Sequence, residues 1–112
     1  GRTNKEKRNL LKLAKESETL GAKAVLLECI TTDTAKQITE SISIPTIGIG
    51  ASRYCDGQVL VFDDLINLTT NNKQPKFVKN YINFNKIVSN TVKRYNREVK
   101  LKKFPSAKFT YN

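Results

Sequence analysis

Apolar residues follow two different spacings along the first third of this chain, and these predict a helix followed by a strand. Between Thr3 and Gly21 the apolar residues recur every three or four positions, as on one face of a helix. These positions are Leu10, Leu13, Ala14 and Leu20. Thr3 and Glu6 have the spacing of a capping box, and Gly21 suits the end of the helix. Residues 23–28 instead contain a short continuous apolar run at positions 24–27, and we expect residues 23–28 to form a buried strand.

The same order of helix and strand continues to residue 62. Asp33 is a candidate cap for a second helix, which Pro45 would end. Its apolar face contains Ala35, Ile38 and Ile42. Residues 46–49 and 59–62 form two further apolar runs, separated by a turn at Asp56 and Gly57. Apolar strands that alternate with helices predict an α/β fold built from parallel strand–helix units.

Beyond Pro75 the pattern predicts a helix near residues 76–82 and a longer amphipathic helix at about 84–103. The apolar stripe of the longer helix comprises Phe84, Ile87, Val88, Tyr95 and Val99, opposite Lys86, Lys93, Arg94, Arg97 and Lys100. This stripe suits either a domain core or a subunit contact. We therefore expect three regions: residues 1–82, the helix within 83–103, and a loose tail at 104–112.

The residue types present exclude several classes of catalytic site within this chain. Histidine is absent, so a Ser/His/Asp triad, a Cys/His dyad and a Cys/His zinc site are excluded. Cys29 and Cys55 lie far apart and form no C-x-x-C pair. We expect both to be small buried residues of a protein in a reducing compartment.

The net charge of +10 is confined to the C-terminal part of the chain. Residues 1–72 hold nine basic and nine acidic side chains, whereas residues 73–112 hold eleven basic side chains and Glu98 alone. Such a segment suits a nucleic-acid-binding module, because cations contact phosphates. We favour solvated charges on a helix face, since the cations are scattered and no nucleic-acid motif accompanies them.

Three parallel strands do not complete a domain of this kind, because their outer edges would remain unpaired. The chain also contains no methionine. We therefore expect it to be incomplete alone, either a processed product or a piece of a longer protein. No apolar run approaches the roughly 20 residues that cross a bilayer, and residues 1–9 are polar. We expect a cytoplasmic protein without a membrane partner.

The strand ends carry the candidate chemistry. Glu28 follows the first apolar run, and Gly48 and Gly50 end the second. A carboxylate at a strand end either pairs with a neighbouring Lys or Arg, or acts on a substrate at the mouth of a parallel barrel or sheet. The glycines suit a tight turn, a close backbone approach to a ligand, or both. Asp56 and Asp64 are expected to cap or brace loops.

Five motifs in register resemble the C-terminal part of the ketopantoate hydroxymethyltransferases (3-methyl-2-oxobutanoate hydroxymethyltransferases). They are Leu26-Leu27-Glu28-Cys29, Ala35-Lys36-x-Ile38-Thr39, Ile44-Pro45-x-Ile47-Gly48-Ile49-Gly50-Ala51, Asp56-Gly57-Gln58-Val59-Leu60-Val61 and Pro75-Lys76-Phe77-Val78-Lys79-Asn80-Tyr81. Ser52, Asp63 and Asn67 depart from the family pattern, and Asn67 is a mild change because Asn tolerates a left-handed backbone.

The resemblance implies a (β/α)8 TIM barrel, of which this chain supplies strands six to eight with their helices. Such enzymes transfer a hydroxymethyl group from 5,10-methylenetetrahydrofolate to 3-methyl-2-oxobutanoate, giving 2-dehydropantoate for the synthesis of pantothenate and coenzyme A. Glu28 would take the proton beside the ketone, helped by partial removal from water. Gly48 and Gly50 would form a substrate or cofactor loop. A related ketoacid lyase or transferase barrel is an alternative.

The resemblance also implies Mg²⁺, with ligands on earlier strands and none in this chain. The missing N-terminal part of the barrel would therefore be a required partner. A homo-oligomer with contacts through the C-terminal helices is expected. We expect the isolated 112 residues to be inactive.

Overall fold

The computed structural model describes residues 1–68 and 73–111. These residues form two compact units. The first comprises residues 1–61 and 73–78, and the second comprises residues 62–68 and 79–111 among those described. No helix among these residues is long and apolar enough to cross a membrane.

The first helix, α1, spans Asn4–Thr19 and begins with the predicted capping box. The Glu6 backbone N–H donates to Thr3 Oγ1, and the Thr3 N–H donates to the Glu6 carboxylate, each at 3.2 Å. Gly21 follows the helix with a φ of +92°. The face that packs on the core contains Leu10, Leu11 and Ala14.

Two leucines that we expected on that face lie outside it. Leu13 is 53% exposed and Leu20 is 87% exposed. The buried face of α1 is formed by Leu10, Leu11 and Ala14. At 3.6 residues per turn, Leu13 lies about 100° from the centre of that face. Leu20 is the C-cap residue, so it lies beyond the last full turn.

Three parallel strands form one sheet in the order β1-β2-β3. They are β1 at Val25–Glu28, β2 at Thr46–Ile49 and β3 at Gly57–Gln58. The prediction of parallel strands is thus confirmed, and β2 has the predicted bounds.

The third strand is shorter and earlier than residues 59–62, where we expected it. The Val59 N–H still donates to the Gly48 carbonyl at 3.0 Å. Because β2 ends at Ile49, it offers no further backbone to pair with residues 60–62. Phe62 instead begins a short helix.

The second helix, α2, spans Thr32–Ser41, and its N-cap residue is Thr31. The prediction that Asp33 caps this helix is therefore wrong. The helix starts one residue before Asp33, whose carboxylate pairs with Lys7 of α1. Helix α2 ends four residues before Pro45, consistent with the predicted stop.

The core of the first unit lies between the sheet and the two helices. Its buried members are Ala14, Leu27, Ala35, Ile38 and Cys55, with Ile42 packed against them. Side chains alternate between the two faces of a strand, and Leu26 on the opposite face is 57% exposed. One face of the sheet is therefore covered and the other is open.

The described residues of the second unit contain two α-helices, α3 at Phe62–Leu65 and α4 at Phe84–Lys100. The helix expected near residues 76–82 is absent. Within the first unit there is only a turn, closed by the Val78 N–H and the Pro75 carbonyl at 3.0 Å. Within the second unit the Tyr81 N–H donates to the Leu65 carbonyl at 2.8 Å. Because the Tyr81 N–H bonds to the end of α3, it does not form the hydrogen bond that a helix over residues 76–82 would need.

Helix α4 confirms the long amphipathic helix, although it ends three residues before position 103. Asn83 caps it, since its side chain accepts from the Lys86 N–H at 3.0 Å. The stripe from Phe84 to Val99 is 37–52% exposed within this chain.

The C-terminal residues contain a 3-10 helix at Ala107–Phe109. The ring of Phe104 lies 5.5 Å from that of Tyr95 on α4 and 5.8 Å from that of Phe109. Residues 104–109 thus contact α4 through aromatic rings. Residue 112 lies outside the described residues.

Candidate functional site

The carboxyl ends of β1 and β2 are held side by side. Glu28 and Ile49 are partners in the parallel register. The next N–H, that of Cys29, donates to the Ile49 carbonyl at 2.9 Å. Cys29 has a φ of +53°, a left-handed conformation that residues other than glycine, asparagine and aspartate seldom adopt. The backbone therefore makes a sharp turn at the residue that follows Glu28. Left-handed conformations of this kind are common at functional sites.

Glu28 lies on the open face of the sheet, the face that it shares with Leu26. Its side chain is exposed within this chain, so the expected partial removal from water is not found here. None of the described Lys and Arg residues forms an ion pair with it. The alternative in which Glu28 merely pairs with a neighbouring cation therefore has no support among these residues. Its catalytic role stays a prediction.

The two glycines near the end of β2 both lie close to other side chains. A β-carbon on Gly48 would come within 2.9 Å of Gln58 Oε1 and 3.1 Å of Cys55 Sγ. Gly50 has a φ of +60°, and a β-carbon there would come within 2.6 Å of the Phe77 ring. The positive φ and the Phe77 ring account for glycine at position 50, whereas the nearest contact at position 48 is with the far end of the flexible Gln58 side chain. Contact with a substrate or cofactor stays a prediction.

A cleft of about 560 Å³ opens beside these strand ends, in the first unit. Its lining comes from the ends of β1 and β2, from β3, from the start of α2 and from the segment after Pro75. The lining residues are Cys29, Thr32, Gly50, Ala51, Ser52, Arg53, Gln58, Lys76 and Phe77.

Sequence reasoning assigned a site role to only one of these residues, Gly50. Arg53, Gln58, Lys76 and Phe77 went unassigned, although the last three lie within motifs that carried the family resemblance. The available signal was position, because Arg53 lies in the loop after β2 and loops at the carboxyl ends of parallel strands build such sites. The Gln58 side-chain N–H donates to the Ser52 carbonyl at 2.7 Å, which fixes one wall of the cleft.

The two cysteines differ in their surroundings. Cys55 is buried in the core, as expected, and Cys29 is exposed at the cleft. The prediction that both are buried is therefore wrong for Cys29. Cys29 lies on the turn after β1, beyond the last residue of the strand, and is not part of the buried core.

Asp56 lies at the opposite end of the strands from the cleft, where β2 begins. Its carboxylate accepts from the Thr46 backbone N–H at 2.8 Å and from the Thr46 hydroxyl at 3.0 Å. The hydrogen bond from the Thr46 backbone N–H makes the larger contribution, and that from the Thr46 hydroxyl the next, to holding the pKa of the Asp56 carboxyl below its ordinary value. Asp56 thus braces the loop before β3, as expected.

Asp64 lies in α3 of the second unit, where its carbonyl accepts from the Asn80 side chain at 2.5 Å. Asn67, two residues after the end of α3, has a φ of +56°. The expectation that Asn tolerates a left-handed backbone at this position is confirmed.

The described residues offer no fit for a resident divalent metal. Residues 1–68 and 73–111 contain no group of three or more His, Cys, Asp or Glu side chains that could hold one.

Comparison with known proteins gives a consistent result. The family model for ketopantoate hydroxymethyltransferase matches residues 1–107. A 3-methyl-2-oxobutanoate hydroxymethyltransferase of Thermosipho melanesiensis is 48% identical over 111 residues, which are 99% of this chain and 42% of that protein. The enzyme of Thermotoga maritima is 44% identical over 111 residues, 99% of this chain and 41% of that protein.

The enzyme of Clostridium botulinum strain 657 is 45% identical over 111 residues, 99% of this chain and 40% of that protein. The chain thus spans about two fifths of the length of these curated relatives. The match to the family model includes all three strands and the cleft residues. The chain belongs to the ketopantoate hydroxymethyltransferase family.

Proposed function

We propose that this chain forms the C-terminal part of a 3-methyl-2-oxobutanoate hydroxymethyltransferase of pantothenate biosynthesis. The observation that carries the proposal is the position of Glu28 at the carboxyl end of β1, directly before the left-handed turn at Cys29. In parallel α/β folds, the carboxyl ends of the strands are where ligands bind. Membership of the family supports the identity of the reaction.

Strands β1, β2 and β3 would be strands six, seven and eight of a (β/α)8 barrel. Their sequential order and parallel direction support this assignment. So does the open face of the sheet, because inward-pointing residues of a barrel pack against those of the other strands. Leu26 and Glu28 would then point into the barrel, and the remaining strands would come from the N-terminal part.

Glu28 would act as the general base. Its carboxylate would accept the proton from C3 of 3-methyl-2-oxobutanoate, and the electron pair of the broken C–H bond would form the enolate. Water would break the two carbon–nitrogen bonds of the one-carbon unit of 5,10-methylenetetrahydrofolate, releasing tetrahydrofolate and leaving the carbon at the oxidation level of formaldehyde. The enolate carbon would form the new carbon–carbon bond to that carbon, whose oxygen would take up a proton and become the hydroxyl group of the product. The turn at Cys29, held by the hydrogen bond to Ile49, would fix the position of this carboxylate.

The remaining requirements of the reaction would be met outside this chain. Mg²⁺ would be held by the N-terminal part, as the family resemblance implies. We place the enzyme in the cytoplasm as a homo-oligomer, with the apolar stripe of α4 available for subunit contacts. The nucleic-acid alternative gains no support from the comparisons.

A chimera tests the proposal. This chain replaces the matching segment of the Thermosipho melanesiensis relative, and formation of 2-dehydropantoate is measured. We expect activity in the chimera. The Glu28→Gln variant should lose roughly 100- to 10,000-fold in kcat, the usual contribution of a general base.

Glu40→Gln is the matched control, since Glu40 is an exposed glutamate of α2 in the same unit. This change should leave kcat within about twofold, as expected for a surface carboxylate. An active chimera whose kcat is unaffected by Glu28→Gln would contradict the proposed role of Glu28. A folded chimera without any activity would contradict the proposed reaction.

A further inference from the structure

Four cations form a straight row along one side of α4, although they look scattered in the sequence. This cationic row consists of Lys86, Lys93, Arg97 and Lys100. Their spacings of seven, four and three residues place all four within about 60° of one another around the helix axis. At a rise of about 1.5 Å per residue, the row is roughly 21 Å long. The fold thus converts dispersed charges into a line of positive charge.

The cationic row is exposed and carries no carboxylate partner. All four side chains are exposed, and none forms an ion pair within the part of the chain that the structure describes. Glu98 is the only acidic residue of α4, and it accepts instead from Arg94 Nε at 2.9 Å. A groove of about 250 Å³ on this side of the helix is lined by Asn90, Lys93, Arg94 and Arg97. Unpaired cations in such an array attract anions.

The apolar face of α4 lies on the other side of the helix. Phe84 and Tyr95 are roughly 170° from the centre of the cationic row. The ring of Phe104 lies 5.5 Å from that of Tyr95, so the C-terminal residues already contact this face. A helix that entered a lipid surface by its apolar face would direct the row away from the headgroups. The geometry therefore favours a polyanion that is bound by charge alone over a membrane.

We propose that the cationic row of α4 binds the phosphate backbone of nucleic acid without reading its sequence. A phosphate recurs about every 3.4 Å along each strand of a duplex, so a row of this length passes several phosphates. Lys and Arg side chains are common ligands of phosphate oxygens. The two aromatic residues of α4 lie on the apolar face and are not placed to stack on bases. This property is additional to the proposed transferase function and does not depend on it.

Salt dependence of binding tests the proposal directly. A fluorescein-labelled DNA duplex of mixed sequence is titrated with the 112-residue chain and with the chimera, and fluorescence anisotropy is measured. Four phosphate contacts predict a slope of about −3.6 in log affinity against log salt concentration, or a loss of about 100-fold between ~50 and ~200 mM salt. A second duplex of different sequence should bind with the same affinity.

Two variants with equal net charge separate the row from charge in general. The row variant carries Lys86→Gln, Lys93→Gln, Arg97→Gln and Lys100→Gln. We expect its affinity to fall about tenfold or more at low salt, with the slope reduced by about one for each cation removed. The control variant replaces four exposed cations of the first unit, through Lys5→Gln, Arg8→Gln, Lys15→Gln and Lys23→Gln. It should keep both the affinity and the slope of the parent chain.

A third variant keeps every charge of the row and guards against damage to α4. It carries Lys86→Arg, Lys93→Arg, Arg97→Lys and Lys100→Arg, and it should bind as the parent chain does. The proposal is overturned if the slope in both parent proteins lies between zero and about −1, or if the row and control variants lose affinity equally. Loss of binding in the charge-retaining variant would also contradict it.

Vesicles of phosphatidylserine and phosphatidylcholine form the second arm of the experiment. Binding to these vesicles that requires the row, without binding to either duplex, would overturn the proposal in favour of a lipid surface. The outcome is independent of the test of the reaction. Nucleic-acid binding by an inactive chimera would uphold this proposal and contradict the proposed function, whereas an active chimera with no affinity for either duplex would do the reverse.

Discussion

The ring of Phe77 occupies the space that a side chain at Gly50 would need. A β-carbon at position 50 would come within 2.6 Å of the Phe77 Cγ and Cδ1 atoms. This contact joins the turn after β2 to the segment that follows Pro75, within one compact unit. The shape of the cleft therefore depends on a glycine and an aromatic ring that are 27 residues apart in the sequence.

The first prediction concerns Gly50→Ala. The φ of +60° costs a residue with a side chain about 1–2 kcal/mol, and the clash with Phe77 adds to that cost. We expect a larger loss of unfolding free energy than for Gly21→Ala, where the φ is +92° and nothing lies within 4 Å. Urea denaturation of the two variants measures the difference. Equal losses would show that Phe77 does not press on position 50 in solution.

The second prediction concerns the fully buried Thr46. Its hydroxyl lies 3.0 Å from Asp56 Oδ2 and 2.8 Å from Thr39 Oγ1. Thr46→Val keeps the shape of the side chain but removes these hydrogen bonds, so we expect a loss of about 1–3 kcal/mol in unfolding free energy. Thr19→Val at the exposed end of α1 serves as the control and should cost much less. A loss at Thr46 no larger than at Thr19 would rule out the network.

The third prediction is a dependence of stability on acid. The Thr46 N–H and hydroxyl lower the pKa of Asp56 in the folded state, so the unfolded state binds the proton more readily. The stabilisation is therefore complete above the ordinary pKa of 3.8. It is lost as the pH falls through the lower folded-state pKa.

We expect Asp56→Asn to make the unfolding free energy less sensitive to pH below about pH 4. Some acid sensitivity should remain, because the backbone N–H groups of Thr3 and Arg2 also lower the pKa of Glu6. Denaturant titrations at a series of pH values measure both slopes. Identical slopes for the variant and the parent chain would contradict this account.

The fourth prediction is that the 112-residue chain alone forms no 2-dehydropantoate. The open face of the sheet leaves Glu28 exposed, and no described group of side chains fits a divalent metal. The assay supplies both substrates and Mg²⁺, and the chimera serves as the positive control. A rate above that of the reagents without protein would refute it.

Much of the fold of the first unit could be predicted from local rules. The capping box at Thr3 and the apolar run of β2 fixed α1 and the second strand almost to the residue. The predictions were wrong where contacts between segments far apart in the sequence determine the local structure. The third strand stops where β2 ends, and the stretch near Tyr81 bonds to the end of α3 instead of forming a helix.

The candidate site was predicted less completely than the fold. Glu28 and Gly50 could be picked because a carboxylate and a left-handed glycine are recognisable in a sequence. Arg53 and Lys76 could not, since a lone surface cation carries no local signal. Only the fold brings the loop after β2 and the segment after Pro75 to one cleft.

The most direct test of the central claim is hydrogen exchange at C3 of 3-methyl-2-oxobutanoate in deuterated water, catalysed by the chimera without folate. This readout follows the proton that Glu28 would remove and does not depend on transfer of the one-carbon unit. We predict exchange by the chimera and a loss of roughly 100-fold or more in Glu28→Gln, with Glu40→Gln unchanged. Exchange at the same rate in Glu28→Gln would contradict the assignment of Glu28 as the base.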